Sequence, residues 1–120
     1  MEQLNLTTDW DKVFPRSDKV DHSKVTFHNR YGITLAADLY IPKGATGRLP
    51  AIAVCGPFGA VKEQSSGLYA QTMAEFGFLT LAFDPSFTGE SGGQPGMWPP
   101  RTSIRRISVR QWISCRYRTM

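Results

Sequence analysis

Histidine and cysteine are scarce in these 120 residues, two of each, and both shortages narrow the chemistry. Cys55 and Cys115 stand too far apart for any metal or redox spacing, which excludes a zinc site or a dithiol couple built from them. Cys55 lies in an apolar run and is expected to be a small core residue. No run approaches the ~18 consecutive apolar residues of a membrane span, so no membrane partner is expected. The opening residues, Met1 to Leu6, carry no basic stretch leading into an apolar core. A cytoplasmic setting is the expectation that follows. Phosphate-loop, dinucleotide and metal-cluster patterns are also missing, so neither cofactor nor metal is expected.

Acidic residues are missing from one region only. Met97 to Met120 holds six arginines (101, 105, 106, 110, 116 and 118) and no acid. Residues 1–96 therefore hold 14 − 6 = 8 basic residues and all 10 acidic ones, a net charge of −2. The whole basic excess sits in the last stretch, and a break that sharp points to segments of different origin. The division is a leader over 1–20, a partial α/β domain over 21–96, and a basic tail over 97–120.

What is present is mostly strand. Trp10, Val13 and Phe14 are scattered anchors in an otherwise polar leader that lies along the domain. Val25, Phe27, Ile33, Leu35, Ala37, Leu39 and Ile41 fall on odd positions, with polar residues between them. That period of two predicts an antiparallel hairpin over 24–41, turning at Asn29 to Gly32. His28 falls on the polar face and is expected at the surface. Ala51 to Cys55 is an unbroken apolar run, expected to be a strand buried on both faces. A helix is predicted over Ser66–Phe76, capped by Ser65 or Ser66, with Tyr69, Met73 and Phe76 as its apolar face and Leu68 beside them. Gly77 ends it. Phe78 to Phe83 is a second apolar strand. Strand, helix and strand make one parallel βαβ unit, so the class is α/β. With only two parallel strands, the edge of Phe78–Phe83 is expected to lie open. Leu79, Leu81 and Phe83, or their neighbours, are expected to face water.

Two loops carry a resemblance. Gly56-Pro57-Phe58-Gly59-Ala60-Val61-Lys62-Glu63-Gln64 resembles the loop after the third strand of dienelactone-hydrolase-like and Xaa-Pro-peptidase-like α/β-hydrolases. Asp84-Pro85-Ser86-Phe87-Thr88-Gly89-Glu90-Ser91-Gly92-Gly93 resembles their loop after the fourth strand. The resemblance covers about residues 20–95 and departs at Gly56, where the family usually has His. It implies the N-terminal fragment of an α/β-hydrolase fold. It also implies an oxyanion-loop role for the Phe58 N–H and for Gly59, and a place for Asp84 and Ser91 in the loop after the fourth strand. An intact relative would hydrolyse a small-molecule ester or amide.

The catalytic set itself is not found here. Gly89-Glu90-Ser91-Gly92-Gly93 matches a nucleophile elbow literally, but the strand ends at Asp84 and no helix can start in Gly92-Gly93-Gln94-Pro95. Ser91 is therefore read as a loop residue. His22 and His28 precede every candidate serine, which is the wrong order for this fold's triad. Lys62-Glu63 is read as a solvated pair at the helix entry, and Asp84 as an acceptor for loop N–H groups. No catalytic residue is assigned, and the chain is expected to be inactive. The oligomeric state is left open.

The tail departs from the family at one point. Codons can be chosen from Met97 to Met120 so that the adjacent frame reads NVASPDINTEDFSAAVDFLSLPDN, which resembles the family's own continuation. The tail is accordingly read as out-of-frame translation after loss of a base near Gly96. The alternative is a non-catalytic interaction fragment, with Trp98, Trp112, Tyr117 and the arginines binding nucleic acid or an acidic partner.

Overall fold

The structure is a computed structural model and describes residues 3–57 and 59–93. Phe58 and the basic tail lie outside the described residues. Among the described residues, four strands form one sheet with one helix against it: β1 (Val20–His28), β2 (Thr34–Pro42), β3 (Ala51–Cys55), α1 (Ser65–Glu75) and β4 (Leu79–Phe83).

β1 and β2 are the expected antiparallel hairpin, paired from Val20↔Pro42 to His28↔Thr34. Its turn is held by one side chain. Asn29 Oδ1 accepts from the N–H groups of Tyr31 (2.9 Å) and Ile33 (3.0 Å). Gly32 takes the left-handed conformation (φ 77°) that closes such a turn at no steric cost. β1 starts four residues before Lys24, where the odd-numbered alternation begins. Val20, only 1% exposed, packs on the opposite face from Val25 and Phe27.

β3 and β4 are parallel neighbours, in register from Ala51↔Leu79 to Cys55↔Phe83. β4 also pairs antiparallel with β2, so the sheet order is β1-β2-β4-β3. This order corrects two expectations. β4 is the interior strand, and Leu79, Leu81 and Phe83 are all buried. Their cover comes from Phe27, Leu35, Ala37 and Leu39 of the hairpin. Of the parallel pair, β3 is the outer strand among the described residues, and it is not buried on both faces: Ala51, Ala53 and Cys55 are exposed. The correction extends to Cys55, an exposed free cysteine rather than a core residue.

The odd-numbered positions form one core layer, as their period requires. The polar face is not left to water. Ala36, Asp38 and Tyr40 of β2 are fully buried beneath α1 and the leader, whose Trp10 and Phe14 pack with Tyr40, Ala70 and Ala82.

α1 presents a different side to the sheet from the one its pattern predicts. Ser66, Gly67, Ala70, Gln71 and Ala74 are buried, while Leu68, Tyr69 and Phe76 are exposed. Small residues win this face because they bring the helix close: the Thr80 hydroxyl on β4 donates to the Ala70 carbonyl at 2.6 Å. At Gly67 any Cβ would collide with the Lys62 carbonyl, and the Phe14 ring lies 3.0 Å from that position. Gln71 fits because both ends of its amide are used, on Pro15 O (3.0 Å) and Ser17 N (3.1 Å) of the leader. Neither serine caps the helix. The N-cap is Gln64, whose side chain accepts from Val61 N rather than from a helix N–H, and the Ser66 hydroxyl turns back to Val61 O.

Candidate functional site at the carboxyl ends of β3 and β4

Parallel strands deliver their following loops to the same end of a sheet, and ligand sites gather there. β3 runs into Gly56 and β4 into Asp84. Asp84 ties the two loops together. Buried completely, its Oδ1 accepts from Lys62 N (2.8 Å) and its Oδ2 from Glu90 N (3.2 Å). Gly89 (φ 53°) packs its backbone against that carboxylate, in space any Cβ would invade.

Lys62 corrects the solvated-pair expectation. Its ammonium is completely buried and meets three carboxylates: Asp84 (3.1 Å), Glu90 (2.7 Å) and Glu63. Burial works against the Lys62 charge, but the three anions outweigh it and hold the group well above an ordinary lysine. Asp84 is pushed up by burial, with Lys62 opposing.

The network continues across the sheet. Glu90 also takes Lys24 Nζ (2.8 Å) and the Thr7 N–H (2.9 Å). Lys24 reaches Asp11 (2.9 Å), Asp11 pairs with Lys12 (2.8 Å), and Lys12 meets Asp38 (3.3 Å). Asp38 finally accepts a 2.7 Å contact from His22 Nε2. Burial raises Asp11 and Glu90, but their lysine partners override it and bring each carboxyl down to about 2. Apart from the adjacent Asp11 and Lys12, these partners lie far apart in the chain, so no local pattern joins them. Lysines alternating with acids over 11–24 are the only local hint.

Further contacts hold the two loops in place. The Ser91 hydroxyl donates to Asp84 O (2.7 Å) and accepts from Ala36 N (2.8 Å), stapling the loop to β2. The turn is reinforced by Gly92 N on Thr34 O (2.8 Å) and Asn29 Nδ2 on Ser86 Oγ (2.9 Å). His28 is exposed and its Nδ1 meets the Thr34 hydroxyl at 3.1 Å. Neither histidine pairs with Ser91. Although the Cys55 residue is exposed, its thiol is partly desolvated, and this together with the Asp84 charge pushes it up. Asp11, Glu63 and Glu90 bring carboxylate oxygens within 4.8 Å of one another, but Lys12, Lys24 and Lys62 already serve as their counter-ions.

Of the two oxyanion-loop positions, Phe58 lies outside the described residues. Gly59 is exposed with φ 85°, and a Cβ there would meet nothing within 4 Å. At Gly56 a Cβ would lie 3.4 Å from Ala60 Cβ and Ser66 Oγ, in ordinary van der Waals contact. No helix among the described residues is long and apolar enough to cross a membrane.

Known proteins extend this picture. No family model matches the chain. The uncharacterized protein PA2218 of Pseudomonas aeruginosa is 79% identical over 94 residues, covering 78% of this chain and 25% of PA2218. Its crystal structure superposes with a TM-score of 0.90 and 65% identity, over 96% of this chain and 37% of that one. The α/β-hydrolase GrgF from Penicillium is 33% identical over 62% of this chain and 25% of its own, with a TM-score of 0.53. Brefeldin A esterase, a bacterial homologue of human hormone-sensitive lipase, is 18% identical with a TM-score of 0.60, over 88% of this chain and 27% of its own. The chain spans about a quarter of the length of the curated relatives it matches. A β1-β2-β4-β3 sheet, with its two loops at one end and these neighbours, makes the described residues the N-terminal part of an α/β-hydrolase fold.

Proposed function

We propose that the chain is the oxyanion-loop-bearing part of a serine hydrolase of the dienelactone-hydrolase-like and Xaa-Pro-peptidase-like group, and that it does not hydrolyse substrate by itself. The observation that carries this reading is Ser91. Its hydroxyl is spent as donor to Asp84 O and as acceptor from Ala36 N, with no base beside it. A nucleophile needs a free, activated hydroxyl within reach of a base. The parent reaction would be attack on an ester or amide carbonyl, with the Phe58 N–H and the turn at Gly59 stabilising the oxyanion. The two loop sequences support the group, and an esterase among the structural neighbours supports the substrate class. Residues 97–120 are read as an out-of-frame tail. The reading is supported by an identity to PA2218 that extends over 94 of the 120 residues.

The test is direct. The purified chain is expected to show no hydrolysis of an activated phenyl ester above buffer. It should also take up no fluorophosphonate at Ser91, as read by peptide mass spectrometry. Stoichiometric labelling of Ser91 would overturn the assignment.

A further inference from the structure

A buried polar atom without a hydrogen bond is costly, so in native folds such atoms pair with the protein or with an ordered water. Among the described residues, two buried side-chain atoms have no partner from the chain: Asp38 Oδ2 and Tyr40 Oη. They belong to one place. Asp38 and Tyr40 lie two residues apart on β2, so their side chains leave the same face of the sheet. Both residues are 0% exposed.

Neither side chain is free to turn toward another partner. The Asp38 carboxylate is pinned through Oδ1, which meets His22 Nε2 at 2.7 Å and Lys12 Nζ at 3.3 Å. The Tyr40 ring is clamped among Phe14, Val20, Ala70, Ala74 and Ala82, with the His22 ring 5.1 Å away. Burial pushes the Tyr40 phenol up, and the charges of Asp38, Glu63 and Asp11 push it the same way. Those carboxylates stand on β2, the loop after β3 and the leader. The Tyr40 hydroxyl therefore faces the charged region to which Asp38 belongs.

The chemistry of the two atoms selects the species that fits between them. Asp38 Oδ2 only accepts, whereas Tyr40 Oη both donates and accepts. A small neutral molecule that donates to the carboxylate and also bonds to the phenol meets both needs. The Asp38 charge is already answered by Lys12, and both orphaned atoms are closed to solvent, which leaves no path for a larger ligand. We infer that one buried water bridges Asp38 Oδ2 and Tyr40 Oη beneath α1 and the leader. A buried water makes about two to four hydrogen bonds and is a fixed part of a fold. This one joins Tyr40 to the Lys12–Asp38–His22 cluster, so the leader is held to β2 by polar as well as apolar contact. The inference is independent of the hydrolase reading.

The test uses the full 120-residue chain. A crystal structure that shows ordered water is expected to place one oxygen within about 2.5–3.0 Å of both Asp38 Oδ2 and Tyr40 Oη. A hydroxyl bonded directly to the carboxylate overturns the inference. So do separate waters on the two atoms, a cation with its own shell of oxygen ligands, or no density between them. Tyr40→Phe gives a second reading by urea denaturation. With the bridge in place, the variant strips the water of one partner and the urea midpoint falls. With an orphaned hydroxyl, the variant removes a buried polar group that nothing satisfies, and the midpoint rises. An unchanged or raised midpoint therefore overturns the inference. Should Tyr40→Phe not fold, the crystal structure of the native chain still decides.

Discussion

At the scale of single residues, Lys62 contributes most to holding the two loops. Its backbone N–H and its ammonium both bind Asp84, so one residue fixes the loop after β3 to the loop after β4. A buried ion pair adds little net stability over an apolar core, but removing one partner leaves charges without compensation. Lys62→Met is expected to cost about 3–5 kcal/mol, because Asp84, Glu63 and Glu90 would then face one another. Urea denaturation measures that loss. Adding Asp84→Asn and Glu90→Gln to Lys62→Met should return part of it, and no recovery would mean the lysine acts through packing instead. A Lys-Glu pair ahead of a helix is usually solvated, which is why its sequence context pointed to the surface. Only the arrival of Asp84 and Glu90 from the β4 loop encloses it.

At the scale of elements, the hairpin and the βαβ unit were legible because their cause is local. Alternation with a period of two fixes a strand's two faces, and a short apolar run between Pro50 and Gly56 leaves few other options. The orientation of α1 was not legible. Tyr69, Met73 and Phe76 form a true stripe, but Gly67, Ala70 and Ala74 form a competing one whose small side chains allow closer contact with β4. Ala70→Leu is expected to destabilise the chain by about 1–3 kcal/mol through overpacking. Leu68→Ser, on the exposed side, should change stability by about 0.5 kcal/mol or less. Thermal and urea midpoints compare the two. The opposite order of effects would restore the larger stripe as the buried face.

At the scale of the whole molecule, the charge network makes stability depend on pH in a defined sense. Asp11 and Glu90 ionise at about 2 in the folded chain, against ordinary values of 3.8 and 4.5. Groups depressed in this way contribute stability that is present above their unfolded values and is lost as pH falls from there through about 2. Asp84, raised by burial, works in the opposite sense and blunts the acid limb. Lys24 and Lys62 are both raised, so their contribution is complete below 10.5 and fades as pH rises beyond it. Urea midpoints measured against pH should therefore show a plateau with an acid limb below 4.5. Glu90→Gln should flatten that limb, and an unchanged limb would place the coupling elsewhere. The same network joins residues as distant as Thr7 and Glu90, so the leader is part of the folded unit rather than a strand of chain laid on it.

The sequence by itself determined the secondary elements, the parallel pairing of β3 with β4, the two loops and the fold they resemble. Those properties follow from periodicity over a few residues and from motifs read in one stretch of chain. Tertiary structure alone decided the strand order, and with it that β3 rather than β4 is the outer member of the parallel pair among the described residues. It also decided which flank of α1 is buried and that Lys62 lies inside. The physical reason is the same in each case. Burial and ion pairing are set by whichever distant segment arrives as a neighbour, and a local pattern states what a residue prefers without stating what will cover it.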